Sequence, residues 1–204
     1  MPRGRAAKFP QQRQAILQHA AHLFASRGFP GTSMHELAAA AGISKALLYH
    51  YYEDKYQLLV AIAEGHIDRL TALVEELDAE ALAPEARLRR LIGRFVQEYA
   101  DAHAHHQVLV QDIKYLAAAD QGRIRDKERR VVVSFARAIA AVHPDLAAAR
   151  LEKPLTMLLF GMINWMFTWF REDGALGYGD MSRLVTEFVV GGLERVASAN
   201  QALS

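Results

Sequence analysis

Residues 32–55 read TSMHELAAAAGISKALLYHYYEDK, and their spacing predicts two short helices joined by a glycine turn. Ser33 and Glu36 fit a capping box, in which a hydroxyl and a carboxylate three residues on satisfy two amides that a helix start leaves open. Leu37, Ala38 and Ala41 then recur at the spacing of one buried face. Gly42 suits a left-handed residue just past the helix, Ile43 fills the corner, and Ser44 caps a second helix from Lys45 to about Tyr52. Two helices with so tight a joint describe a helix-turn-helix, whose second helix enters the DNA major groove. Leu48 and Tyr52 lie four apart and face inward with Ile43, which leaves Lys45, Ala46, Leu47, Tyr49, His50 and Tyr51 around the other faces. A lysine, a histidine and two tyrosines on a short exposed helix suit phosphates and base edges. The competing reading makes Tyr49, Tyr51 and Tyr52 core aromatics of a small bundle. Lys55 opens the next helix, where its ammonium and the helix N-terminus can both meet a phosphate.

On the N-terminal side, Ile16, Ala20, Leu23 and Phe24 mark the apolar face of a helix from about Gln11 to Ser26, stopped by Gly28. Residues 2–8, PRGRAAK, read as a flexible basic arm able to lie along DNA, or as a solvated terminus. The net charge of +1 hides an asymmetry: residues 1–60 carry seven Lys/Arg against three acids, and the remainder 17 against 20. A basic head on a mildly acidic body suits a polyanion partner, although an excess of four charges also arises by chance.

The chain has no cysteine, which excludes disulfides and thiolate metal sites. The basic start is not followed by an apolar run, so it is no secretory signal, and Leu155 to Phe170 falls short of the ~20 residues a membrane span needs. The expectation is a cytoplasmic protein without membrane contact.

Beyond the head, a helix from Asp54 to about Glu80 has the length of a connector. Pro84 opens another, with Leu88, Leu91, Ile92, Phe95 and Tyr99 at helical spacing. Ala100 to Gln107 reads as a junction, Val108 to Ala118 and Asp120 to about Val142 as helices. His103 and His106 could share a helical face near Asp101, but no third metal ligand is legible. Arg123, Arg125, Lys127, Arg129 and Arg130 form either a solvated face partnered by Asp126 and Glu128 or the mouth of a site for an anionic effector. Leu155 to Phe170 is apolar nearly all round, which predicts burial on every side, and its Asn164 amide needs partners. A last helix, about Met181 to Ala197, carries Gly191 and Gly192, which permit close approach at a helix seam.

The run GISKALLYHYYEDKYQLL, with FPGTSMHELAAAA before it, resembles the DNA-binding signature of the TetR family of bacterial repressors over roughly residues 12–60. Gly28, Gly31, Thr32, Ala38, Gly42, Ser44, Leu48, Tyr49, Tyr51, Lys55 and Leu58 agree with that pattern together. The resemblance implies an all-α protein, with a three-helix helix-turn-helix domain over residues 1–56 and a ligand-binding and dimerisation domain over 57–204. It implies a homodimer that binds a palindromic double-stranded DNA operator and releases it when a small molecule enters the C-terminal domain. It also implies phosphate contacts by Thr32, Ser33 and Lys55, base contacts by Lys45, Ala46 and Leu47, and mixed contacts by Tyr49, His50 and Tyr51, with Ser44 at the helix start. Leu47 stands where relatives carry a small hydroxyl residue; it can touch a thymine methyl but cannot donate a hydrogen bond.

The stretch KPLTMLLFGMINWMFTWF-x-x-D-G-x-L is similar to a narrower branch that senses CoA thioesters, and FGMINWMFTW to repressors of phenylacetate catabolism, whose inducer is phenylacetyl-CoA. That resemblance implies no resident cofactor and an acyl-CoA effector. Candidate ligand residues are Phe95, Tyr99, Tyr115, Arg123, Arg130, Phe160, Asn164 and Trp165; candidate seam residues are Trp169, Leu184, Phe188, Gly191 and Gly192. A fatty acyl-CoA or a hydrophobic drug is the alternative effector. A small-molecule enzyme is the remote rival, for no Ser/His/Asp, Cys/His or paired-carboxylate arrangement stands out.

Overall fold

Helix α1 spans Arg3–Arg27 in the computed structural model, which describes the backbone of residues 3–171 and 174–203 and the side chains of residues 9–171 and 174–202. It starts well before the expected Gln11, so the basic arm is helical from Arg3 onward. Pro2 lies outside the described residues, as do the side chains of Arg3, Arg5 and Lys8 and the whole of Asp173 from the C-terminal motif. Ala6 and Ala7 favour the helical state, and Pro10 withdraws one amide without ending the helix. Ile16, Ala20, Ala21 and Phe24 bury its inner face, and Gly28, at φ +76°, halts it.

The next three helices are α2 (Met34–Ala40), α3 (Lys45–Tyr51) and α4 (Lys55–Ala79), and all regular structure among the described residues is helical. The expected junction over residues 100–107 shrinks to Ala102, between α5 (Pro84–Asp101) and α6 (His103–Asp112). Its three histidines hide an inner face: Ala102, Ala104 and His106 are buried. A 3-10 turn, Ile113–Tyr115, replaces the expected continuation to Ala118, where α7 (Ala118–Val142) begins. A short helix that the sequence reading passed over, α8 (Pro144–Ala148), opens on Pro144, whose missing amide costs nothing at a first helical position. Helix α9 (Glu152–Asn164) ends six residues before the expected Phe170, giving way to a 3-10 turn at Met166–Thr168. Helix α10 is Tyr178–Leu203.

The chain divides into two units: residues 1–67 with 102–124, and residues 68–101 with 125–204. The expected domain of residues 1–56 falls inside the first. There α1 packs on α2 and α6, and α2 on α3, around Ile16, Phe24, Leu37, Leu48, Leu58 and Ile62. The start of α4 is tied to the start of α7: the Tyr56 hydroxyl donates to Asp120 and accepts from the Ala117 amide at 2.8 Å. Arg123 reaches Glu64 at 3.0 Å and also pairs with Asp120. The Gln107 side chain donates to the Ala25 carbonyl at 2.8 Å.

In the second unit α10 packs along α5, and at Gly93 a Cβ would stand 3.3 Å from Ser182 Oγ. Phe95, Phe135 and Phe160 meet edge to face, with centroids 4.8, 4.9 and 6.1 Å apart. Each such ring contributes about 2–3 kcal/mol when taken out of water. The stretch expected to be buried on every side is half bare: Leu158 is 71 % and Trp165 62 % exposed. On α10, Phe188 is 73 % and Leu184 52 % exposed. Leu155, Leu158, Met162, Phe188, Val189 and Val196 border an open groove of about 390 Å³ between these two helices. Apolar periodicity finds such a face but does not say which neighbour covers it. No helix among the described residues is long and apolar enough to cross a membrane.

Candidate nucleic-acid interface

The helix-turn-helix is held by local bonds that each short side chain was placed to make. Ser33 Oγ accepts from the Glu36 amide at 3.3 Å, and the Glu36 carboxylate accepts from the Ser33 amide at 2.8 Å. The Ser33 hydroxyl, donating to that carboxylate at 2.8 Å, and then the Ser33 amide hold the Glu36 carboxyl below the usual carboxylate range, ahead of Arg27 at 2.8 Å. At the other end of α2 the Gly42 amide donates to Ala39 O at 3.1 Å and the Ile43 amide to Ala38 O at 3.0 Å. This paired closure requires a left-handed residue, and Gly42 has φ +64°. Ser44 then caps α3 by accepting from the Leu47 amide at 3.1 Å.

With its ends fixed, α3 presents one buried row and one bare one. Leu48 and Tyr52 are buried, while Lys45, Ala46, Leu47, Tyr49 and His50 are exposed and Tyr51 is half-buried. Lys45 Nζ lies 5.7 Å from the centre of the Tyr49 ring. Phe9, absent from the sequence-based candidates, stacks on Tyr51 with centroids 4.6 Å apart. The only signal for it in the sequence is an aromatic residue beside the basic arm.

Two expected phosphate contacts are placed otherwise. Thr32 is 2 % exposed, and its hydroxyl donates to the Gly28 carbonyl at 3.0 Å. The Lys55 ammonium donates to Phe29 O and Thr32 O at 3.0 Å each and to Pro30 O at 3.3 Å, over the Phe29 ring. The bend around Pro30-Gly31 aims these carbonyls at one point, and an ammonium carries three donors to meet them. Lys55 therefore fastens the α1–α2 turn to α4 rather than reaching outward.

The candidate ligand residues divide between the two units. Phe95, Tyr99 and Phe160 are buried in the second unit with Phe135, which sequence reasoning missed. Burial, and then the charge of Glu128, pushes the Tyr99 phenol up; burial also raises the Glu128 carboxyl. The Asn164 carbonyl oxygen is buried without a partner among the described residues. Trp165, Trp169, Leu184, Phe188 and Gly192 are each exposed, whereas Gly191 is half-buried. Arg130 is exposed and borders a groove of about 350 Å³ with Glu75 and Arg137. Tyr115 and Arg123 belong to the first unit, where Tyr115 packs against Phe29 and Arg123 is held by Glu64 and Asp120.

The histidines of α6 are parted as well. His106 turns inward, with Nδ1 3.2 Å from His66 Nε2 in a fully buried pair, and no cluster of three metal-ligating groups occurs among the described residues. Burial, followed by the charge of His103, depresses His106 to about 3. Between that value and the ~6.5 of an unfolded histidine, the unfolded chain binds a proton that the folded chain refuses. Stability should therefore fall as pH drops through this window, by at most about 1.4 kcal/mol per unit from this group. Melting curves at pH 7 and 5 should show a loss that is smaller in His106→Gln; equal losses would remove His106 as the cause.

Residues 16–62 match the family described as bacterial regulatory proteins, tetR family, and residues 81–193 match the tetracyclin repressor-like C-terminal domain. The chain belongs to the TetR family. Among TetR relatives, the HTH-type transcriptional repressor KstR2 of Mycolicibacterium smegmatis is 27 % identical over 193 residues, covering 89 % of this chain and 90 % of its own. A TetR-family regulator from Bordetella parapertussis superposes with a TM-score of 0.82 at 28 % identity, covering 87 % of this chain and 93 % of that one. AibR, in a structure with isovaleryl coenzyme A and operator DNA, gives 0.73 at 25 % identity over 87 % of this chain and 97 % of its own. The bare row on α3 thus belongs to the helix-turn-helix of a TetR-family transcriptional regulator.

Proposed function

We propose that this TetR-family regulator is a homodimeric repressor whose α3 helices read a palindromic operator and which a CoA thioester releases. The exposed row Lys45, Leu47, Tyr49 and His50, on a helix capped by Ser44 and held at its far end by Arg13 on the Tyr52 hydroxyl, carries the reading. In it, Lys45, Ala46 and Leu47 face bases, with Leu47 against a thymine methyl. Tyr49, His50 and Tyr51 meet backbone and base edges, and Ser33 and Ser44 border the phosphates. Repression is supported by KstR2, which is named a repressor, and a thioester effector by AibR with its bound isovaleryl coenzyme A.

Phenylacetyl-CoA is the first candidate, because FGMINWMFTW is similar to repressors of phenylacetate catabolism. Release needs only modest coupling: a ten- to hundredfold loss of operator affinity corresponds to about 1.4–2.8 kcal/mol. With duplexes selected by the wild-type protein from a random pool, Tyr49→Ala should bind at least about a hundredfold more weakly, while dimerisation is unchanged. Undiminished binding by Tyr49→Ala in a gel-shift assay would sink the site assignment. Thermal shifts with phenylacetyl-CoA, octanoyl-CoA, free phenylacetate and a lipophilic cation identify the effector; a shift with the cation alone rejects the thioester.

A further inference from the structure

We propose that Phe9 is a positioning residue of the operator site, holding Tyr51 in its DNA-facing rotamer before DNA arrives; this rests on the DNA-binding reading above. Phe9 is 48 % exposed, so burial does not account for a phenylalanine there. Its ring lies against Tyr51 at 4.6 Å with an interplanar angle of 28°, and edge-on to His50 at 6.4 Å and 86°. His50 and Tyr51 in turn meet edge to face at 5.8 Å. These three rings form a cluster on the side of α3 that is not packed into the core. One turn further along α1, Arg13 Nε donates to the Tyr52 hydroxyl at 3.0 Å, so α1 grips the end of α3 at two successive points.

The second grip fixes a buried residue and serves the fold. The first fixes a half-exposed one, where only ligand binding gains from the order. A free surface tyrosine must be immobilised when it meets DNA, and that ordering lowers affinity by a factor of about three to ten. Stacking on Phe9 meets this cost during folding. The extension of α1 back to Arg3 places Phe9 inside a helix rather than in a loose arm, and this gives the stack its fixed geometry.

The test is a double-mutant cycle on operator affinity, with melting temperature as the control. Phe9→Ala should weaken binding about three- to tenfold, Phe9→Tyr should restore it, and the melting temperature should stay within about two degrees of wild type. In a Tyr51→Ala background, Phe9→Ala should add nothing. The same loss in both backgrounds would mean that Phe9 acts directly or through stability, and it overturns the proposal. Full-strength binding by Phe9→Ala while Tyr49→Ala is inactive overturns the positioning role alone. Full-strength binding by Tyr49→Ala overturns the operator reading and this role with it.

Discussion

Lys55→Met should lower the stability of the head by about 2–4 kcal/mol, because it strips the shared donor from three carbonyls at once. For a chain of this size that is a fall in melting temperature of roughly 4–16 °C. Methionine keeps the length and the contact over the Phe29 ring, so what is lost is the charge and its hydrogen bonds. Operator affinity should fall too, since the α1–α2 turn and α4 no longer share a fixed point. A phosphate contact makes the opposite forecast: unchanged melting, with the slope of log affinity against log salt reduced by about one. Melting curves and a salt titration on the same sample separate the two.

Phe188→Glu should turn the proposed homodimer into a monomer at micromolar concentration. The bare face of α9 and α10 includes Leu158, Leu184 and Phe188 beside an open apolar groove. A symmetric dimer seam contains every residue twice, so one substitution removes two rings and faces two carboxylates with apolar surroundings. Losing two buried phenylalanines costs about 3–6 kcal/mol, or at least a hundredfold in the dimer constant. Sedimentation should show half the mass, and operator affinity should fall as a single α3 replaces two. A variant that still sediments as a dimer shows that this face is not the seam.

How far the sequence carries depends on the range of the interaction involved. Ser33, Glu36, Gly42 and Ser44 act on amides within five residues of themselves, so their capping roles are readable from spacing alone and recur in the structure. Leu48 and Tyr52 follow from helical period in the same way. The bonds of Lys55 were not legible because its partners lie 23 to 26 residues away, on a turn whose carbonyl directions no pattern encodes. Tyr115 and Arg123 were grouped with Phe95 and Phe160 by residue type, yet they fold into different units. Phe135 was overlooked because it follows Val131, Val132 and Val133 in an apolar run of the helix, where one more apolar residue has little contrast with its neighbours.

The bonds from Tyr56 and Glu64 to Asp120 and Arg123, with Gln107 on Ala25, make residues 102–124 part of the head in everything but chain order. This bears on modularity. A sensor exchanged between two such regulators by a single splice after residue 56 would leave the incoming head without the segment that completes it. The natural unit of inheritance is discontinuous, and recombination that respects it must cross the chain three times.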